Sequence, residues 1–117
     1  MTDRDDTLDE AWALIVPRAE ISAEDAALDA GVDRREAILR ALSNRFAWIL
    51  ANDVARLPWW LYRLDVRESA VDEAFASSTS DTLPRALAEL LLERTLQKVA
   101  SRRRWDAELG GDLDLDS

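Results

Sequence analysis

Apolar residues recur at intervals of three and four along most of this chain of 117 residues, and this spacing constrains the fold more than any other feature. It places apolar side chains on one face of an α-helix, whereas a half-buried strand alternates at every second residue. No segment has the alternating pattern. The two longest series are Ile38, Leu39, Leu42, Phe46, Ile49, Leu50, Val54 and Leu57, and Leu87, Leu90, Leu91, Leu92, Leu96 and Val99. The sequence therefore predicts an all-α fold.

Two long helices dominate this prediction, at about 34–64 and 84–104. Asp33 and Glu36 resemble a capping box at the start of the first helix. Pro58 interrupts the first apolar series, so the helix either kinks there or gives way to a second helix with proline in its first turn. Because the apolar face resumes in phase after Pro58, we expect a kinked or closely abutting continuation. The two long helices must pack together to bury their apolar faces.

Shorter segments complete a small bundle of four or five helices, which we expect to form one domain over residues 1–108. Apolar spacing and capping residues predict short helices at 7–16, 22–30 and 67–76 and a loop at 77–82. Residues 1–6 are expected to be frayed. The acidic segment 109–117 has no periodic apolar residues, and it is expected to be a disordered tail.

The chain contains no cysteine and no histidine. These absences exclude a disulfide framework, thiolate zinc sites and the usual pairs of catalytic nucleophile and base. The side chains that remain for catalysis are carboxylates, arginines, hydroxyls, Lys98 and Tyr62. We therefore expect no enzymatic activity, no cofactor and no metal site.

The net charge of −9 is unevenly distributed, with −8 over residues 1–33, +4 over 34–105 and −5 over 106–117. Acidic ends repel a phosphate backbone, so nucleic-acid binding is not expected. No apolar segment approaches the roughly 20 residues of a membrane span, and the acidic first residues differ from a signal sequence. We expect a cytoplasmic protein that does not bind membranes.

Asp53 lies on the apolar face of the first predicted long helix. A buried carboxylate must be paired or hydrogen-bonded, because burying an isolated charge is very costly. We expect a buried ion pair with Arg45, Arg63 or Arg94. The alternatives are a functional carboxylate in a ligand pocket and a different helix phase around Pro58.

Two polar motifs occur on neighbouring predicted helices, Tyr62-Arg63-x-Asp65 and Glu93-Arg94-x-x-Gln97-Lys98. Residues four apart in the second motif lie on one face of a helix. We expect an interhelical network that fixes the register of the helices and contains Asp53, Arg63, Asp65, Glu93, Arg94 and Gln97. An anion or nucleotide site is the alternative.

Trp59 and Trp60 are adjacent, so on a helix their side chains point about 100° apart. One of them can join the core while the other stays near the surface. Because exposed indoles are enriched at protein interfaces, both residues are candidates for an interface.

Two further segments offer weaker signs of nucleic-acid binding. Arg102-Arg-Arg-Trp105 combines a basic triplet with an aromatic residue, which suits a phosphate contact but also suits an ordinary helix C-terminus. Residues 26–35 faintly resemble a helix-turn-helix. Acidic residues lie beside both segments, so neither makes nucleic acid the expected partner.

The segment from Leu57 to Val66, followed by Glu93-Arg-x-x-Gln-Lys98, resembles a group of small bacterial proteins. These share a pattern close to Leu-Tyr-Arg-(Ile/Leu)-Asp-Val and then Glu-Arg-x-x-Gln-Lys. The resemblance covers roughly residues 34–104, although Pro58 and the paired tryptophans depart from the more usual aliphatic run. It implies a compact helical fold and no particular activity.

Taken together, these features predict a non-enzymatic helical interaction or structural module of a bacterial cytoplasmic assembly. A homo-oligomer is expected, since the apolar helices leave more surface than a small monomer can cover. The alternatives are a nucleic-acid-associated regulatory protein and a helical protein that binds a small ligand.

Overall fold

The computed structural model describes residues 2–22, 26–27, 33–64 and 66–116, and it describes the side chains of 7–22, 26–27, 33–64 and 66–105. These residues form five α-helices and one 3-10 turn, without a strand: α1 (Thr2–Arg18), α2 (Arg34–Asn52), the 3-10 turn (Val54–Arg56), α3 (Leu57–Arg63), α4 (Glu68–Ser77) and α5 (Leu83–Asp116). The predicted all-α bundle is confirmed. The predicted short helix at 22–30 lies largely outside the described residues.

The packing of α2 against α5 is the most extensive contact between two helices in the described part of the chain. The nearly fully buried side chains of this contact are Ile38, Leu42 and Ile49 from α2 and Leu87, Leu91 and Leu92 from α5. Burying a side chain of this kind contributes about 1.5–3 kcal/mol relative to leaving it exposed. The core is therefore centred between the two longest helices, as their apolar spacing predicts.

Helix α1 lies antiparallel to α5. In the C-terminal half of α5, Arg103 Nε donates to Glu10 Oε2 at 3.0 Å. Nearer the middle of α5, Thr95 shares a small cavity with Leu14 and Arg18, which come later in α1. The order of contacts is thus reversed along the two helices, and α1 covers a side of α5 that α2 leaves open.

The chain leaves the first long helix at Asp53, several residues before Pro58. Helix α2 ends at Asn52, and Asp53 has φ −152° and ψ 48°. Pro58 lies in the first turn of α3, where its missing N–H leaves no helical hydrogen bond unmade. The structure thus has a new helix with proline in its first turn rather than a single helix over 34–64 kinked at Pro58. Leu57 and the residues that follow it in phase still face the core.

Helices α1 and α5 both extend beyond their predicted ranges. Helix α1 begins at Thr2, in the segment expected to be frayed, and includes Pro17 in its last turn. Helix α5 begins at Leu83 and ends at Asp116 rather than near Arg104, so helical backbone occupies most of the segment 109–117 that we expected to be disordered. Once a helix is established, each added residue gains a hydrogen bond without a new nucleation cost.

A bidentate ion pair joins the first turns of α2 and α5. The Nη1 and Nη2 atoms of Arg85 donate to Oε1 and Oε2 of Glu36 at 2.9 and 2.8 Å, and Arg85 Nε donates to Glu89 at 3.2 Å. The hydrogen bonds from Arg85 lower the pKa of Glu36, and the bonds to Glu36 raise the pKa of Arg85. This pair fixes the register of α2 against α5 at the exposed edge of the core.

We expect Glu36→Gln to lower the free energy of unfolding at neutral pH and to have little effect in acid. A carboxyl whose pKa is lower in the folded than in the unfolded chain stabilises the fold above its ordinary pKa of 4.5, and this contribution is lost as the pH falls through the folded pKa. Urea titrations should therefore give the largest difference from wild type above about pH 5, and the difference should shrink as the pH falls below the ordinary carboxyl range.

The matched control for this experiment is Glu73→Gln, which removes an exposed carboxylate of α4 that has no ion pair with the described side chains. A difference between wild type and Glu36→Gln that stays constant across the acid range would contradict the role of the ion pair.

Candidate interaction surface

Asp53 lies at the C-terminal end of α2 and not inside the bundle. Its side chain is 33% exposed, and its Oδ2 atom lies 3.6 Å from Nη1 of Arg56. Helical spacing directs this residue toward the core only if the helix continues, and α2 ends one residue earlier. The expected buried pair with Arg45, Arg63 or Arg94 is therefore corrected to a partly exposed pair of a kind that contributes about 0–1 kcal/mol.

The other residues of the predicted buried network are distributed over separate contacts. Nη1 of Arg63, on α3, lies 3.6 Å from Oε1 of Glu20, which follows α1. Oε1 of Glu93, on α5, accepts a hydrogen bond from Arg35 of α2 at 2.9 Å. Both pairs are partly exposed, so they link the helices at the surface instead of forming one network in the interior.

Three of the predicted network residues do share a location. Glu93, Arg94 and Gln97 line a groove of about 270 Å³ between α5 and the segment that precedes α4. Glu93 and Gln97 are exposed, and Arg94 is partly buried. Asp65 lies outside the described residues. The groove is shallow and lacks Asp53 and Arg63, so the structure brings together one half of the predicted set.

The two adjacent tryptophans of α3 have different environments. Trp60 is 2% exposed and belongs to the core, whereas Trp59 is 47% exposed. Their rings meet edge to face, with centroids 6.1 Å apart and planes at 85°. The expectation that one indole joins the core while the other stays at the surface is therefore met. Of the two interface candidates, Trp59 is accessible to a partner and Trp60 is not.

Arg45 of α2 connects the end of α1 to two tryptophans. Its Nε atom donates to the Ala19 carbonyl at 3.2 Å, and its Nη2 atom lies 3.9 Å from Oε2 of Glu20. Its guanidinium carbon lies 4.9 Å from the ring centroid of Trp60 and 5.3 Å from that of Trp48. A cation is favourable both at a helix C-terminus and over an aromatic face. Arg45 thereby joins α1, α2 and α3.

Glu20 lies in the left-handed region of backbone conformation, with φ 53°, directly after α1. Its N–H donates to the Pro17 carbonyl at 3.3 Å, and the N–H of Ile21 donates to the Val16 carbonyl at 3.0 Å. This pair of bonds is a Schellman motif, in which the left-handed position favours glycine. A glutamate there costs about 1–3 kcal/mol. Contacts of its carboxylate with two arginines, on α2 and α3, offset part of that cost.

Arg56 and Arg63 flank the exposed ring of Trp59. Their guanidinium carbons lie 5.3 and 5.2 Å from the ring centroid. The spacing of three residues before and four residues after Trp59 places all three side chains on one face of the chain as it passes from the 3-10 turn into α3. The indole thus contacts two cations, which restricts its side-chain freedom before a partner binds.

We define the tryptophan–arginine surface as Arg45, Trp48, Arg56, Trp59 and Arg63. Its two indoles are half-exposed, with Trp48 at 52%. Three guanidinium groups face two carboxylates here, so the surface is locally positive in a chain with a net charge of −9. The surface can present flat aromatic area and arginine N–H groups to the same partner.

The sequence prediction missed Trp48 and Arg56 as members of this surface. Both carry a signal in the sequence, because Arg45 and Trp48 are three apart and Arg56 precedes Trp59 by the same interval. Arginine and tryptophan at helical spacing can stack. The contribution of Glu20 has no comparable signal, since it depends on how α1 ends.

A second exposed feature is an apolar groove of about 600 Å³ between α3 and α4, which we name the α3–α4 groove. Its lining includes Leu61, Val66, Val71, Phe75 and the largely exposed Tyr62. The carboxylates of Glu68 and Asp72, four residues apart on α4, also line it. Neither carboxylate forms an ion pair with a described side chain. The groove is therefore apolar inside and acidic at its edge.

The basic triplet of α5 is divided between a contact with α1 and the exposed surface. Arg103 donates to Glu10 and, through Nη1, to Thr7 Oγ1 at 2.7 Å. Arg102 and Arg104 are exposed, and Trp105 is 62% exposed. Much of the segment 26–35 with its helix-turn-helix resemblance lies outside the described residues.

Two other kinds of site are not found in the described part of the chain. No group of three acidic side chains is arranged to hold a metal ion. No helix among the described residues combines the length and the apolar character needed to cross a membrane.

Comparisons of the chain with models of known protein families, with curated proteins and with solved structures find no match. The resemblance carried by Leu57 to Val66 and the Glu93 motif therefore gives no family assignment.

We expect the two adjacent tryptophans to differ sharply in their contribution to stability. Trp60→Ala removes a buried indole and leaves a cavity, which costs about 3–5 kcal/mol. Trp59→Ala removes a half-exposed ring and should cost about 1 kcal/mol or less. Urea titrations followed by circular dichroism measure both values, and each variant is the matched control of the other. Equal costs would contradict the placement of Trp60 in the core.

Proposed function

We propose that this protein is a non-enzymatic helical interaction module of a bacterial cytoplasmic assembly, and that it binds another protein through the tryptophan–arginine surface. The observation that supports this best is the pair of half-exposed indoles, of which Trp59 contacts Arg56 and Arg63 and Trp48 contacts Arg45. Tryptophan and arginine are the residues most enriched among those that dominate binding energy at interfaces. A protein gains little by exposing two indoles unless a partner covers them.

The chemistry of this surface indicates the kind of partner. A guanidinium group that stacks on an indole keeps its N–H edge available to accept a carboxylate. The present carboxylate partners of Arg45, Arg56 and Arg63 lie 3.6–3.9 Å away and are partly exposed, so these ion pairs are weak. A partner segment with an apolar side chain and one or two carboxylates would cover the indoles and replace these pairs.

The partner surface is tested by capture with the tagged full-length protein from an extract of the cells that produce it, followed by quantitative mass spectrometry. We expect Trp48→Ala/Trp59→Ala and Arg56→Glu/Arg63→Glu each to reduce the recovery of specific partners by about tenfold or more, because truncated hot-spot residues commonly cost that much affinity. Each variant is first shown to be folded by circular dichroism.

The matched control is Arg40→Glu/Arg67→Glu, which changes the net charge by the same amount at two exposed arginines outside the surface. This control should keep its partners. Full recovery of partners by both surface variants, or equal loss in the control, would refute the proposed interface.

A nucleic-acid-associated role is the second candidate, because exposed indoles beside guanidinium groups can stack bases and contact phosphates. Two features count against it. The carboxylates of Glu20 and Asp53 lie against the arginines of the surface, and the terminal segments carry −8 and −5. Both repel a polyanion.

We therefore expect no binding of random duplex DNA at physiological salt. Fluorescence anisotropy with labelled duplex and single-stranded oligonucleotides measures this directly. Micromolar affinity that weakens with salt and is lost in Arg56→Glu/Arg63→Glu would favour the nucleic-acid role over the protein partner.

A further inference from the structure

Just beyond the contact of Arg103 with α1, α5 carries an indole that points away from the body of the protein. Arg103 faces α1, where it contacts Glu10. Trp105 comes two residues later, about 200° around the helix, so it projects on the opposite side. Its exposure of 62% agrees with this direction. Because the Arg103 contact fixes the rotation of α5, Trp105 is presented in a defined orientation.

The α3–α4 groove suits this indole because it is apolar inside, and its acidic edge suits a basic side chain beside the indole. Its interior is apolar, and its volume of about 600 Å³ is large enough for an aromatic side chain with its neighbours. Glu68 and Asp72 at its edge match a basic partner. Arg102 lies on the same face of α5 as Trp105, three residues before it, and therefore accompanies the indole into any contact.

Trp105 cannot reach the groove of its own chain. Helix α5 is continuous from Leu83 to Asp116. Arg94 and Val66 both line the smaller groove of about 270 Å³, and Val66 also lines the α3–α4 groove. Trp105 lies eleven residues further along α5, which is about 16 Å of helix. The indole and the groove can therefore meet when they belong to different molecules.

We propose that two copies of this chain form a dimer in which Trp105 of each copy occupies the α3–α4 groove of the other, with Arg102 paired to Asp72. A two-fold axis makes both contacts at once and closes the assembly, as in most homodimers. The tryptophan–arginine surface takes no part in this contact. The dimer and the binding of another protein are therefore separate properties, and either can fail without the other.

Sedimentation velocity over a range of concentrations tests the dimer. We expect Trp105→Ala to raise the dimer dissociation constant about thirtyfold or more, as for a buried aromatic anchor. Asp72→Arg and Arg102→Glu should each weaken the dimer about tenfold or more, because each places like charges in contact. The double variant Asp72→Arg/Arg102→Glu restores opposite charges and should return the constant to near the wild-type value.

Trp59→Ala is the matched control, since it removes an exposed tryptophan from the other surface and should leave the dimer unchanged. Circular dichroism melts confirm that every variant is folded. A monomer at all concentrations, a dimer insensitive to Trp105→Ala, or a dimer lost in Trp59→Ala would each overturn the proposal. Failure of the charge-reversed double variant to recover would overturn the pairing of Arg102 with Asp72.

Discussion

The burial of the apolar face of α2 against α5 is the constraint on which the rest of the molecule depends. Neither helix could keep its row of isoleucine and leucine side chains in water, so the two must pair. That pairing leaves two flanks of the core open. Helix α1 covers one flank by lying antiparallel to α5, with Leu64 from the end of α3 beside it, and α4 packs against another part of α5. The surfaces available to a partner are those that remain after this packing is complete.

Arg45 determines how the candidate interaction surface is built on that core. It meets the carbonyl end of α1 and the faces of two indoles, so three helices converge on one guanidinium group. The left-handed Glu20 belongs to the same arrangement, because its carboxylate lies between Arg45 and Arg63. The cost of that backbone conformation is offset in part by contacts that also orient the arginines. The exposed aromatic area is thus physically connected to the end of α1 and to the left-handed Glu20 that follows it.

The molecule presents two exposed apolar regions with opposite charge. The tryptophan–arginine surface is locally positive, whereas the α3–α4 groove has an acidic edge. Opposite charges favour different partners and suppress incorrect ones, since like charges in contact are strongly unfavourable. A small helical protein with two such regions can join two neighbours at once. This property suits a module that links components of an assembly.

The sequence by itself determined the helical class, the pairing of the two longest helices and the split between a buried and an exposed tryptophan. Each follows from the interval between side chains along a helix, which is a local property. The surroundings of individual side chains depended on the tertiary structure, because the interval between residues along a helix does not determine them. Asp53 left the core because α2 ends before it, and Trp48 lies under a guanidinium group because Arg45 is anchored by the end of α1. The partners of a surface side chain depend on where other helices end, and the spacing of residues within one helix carries no information about those positions.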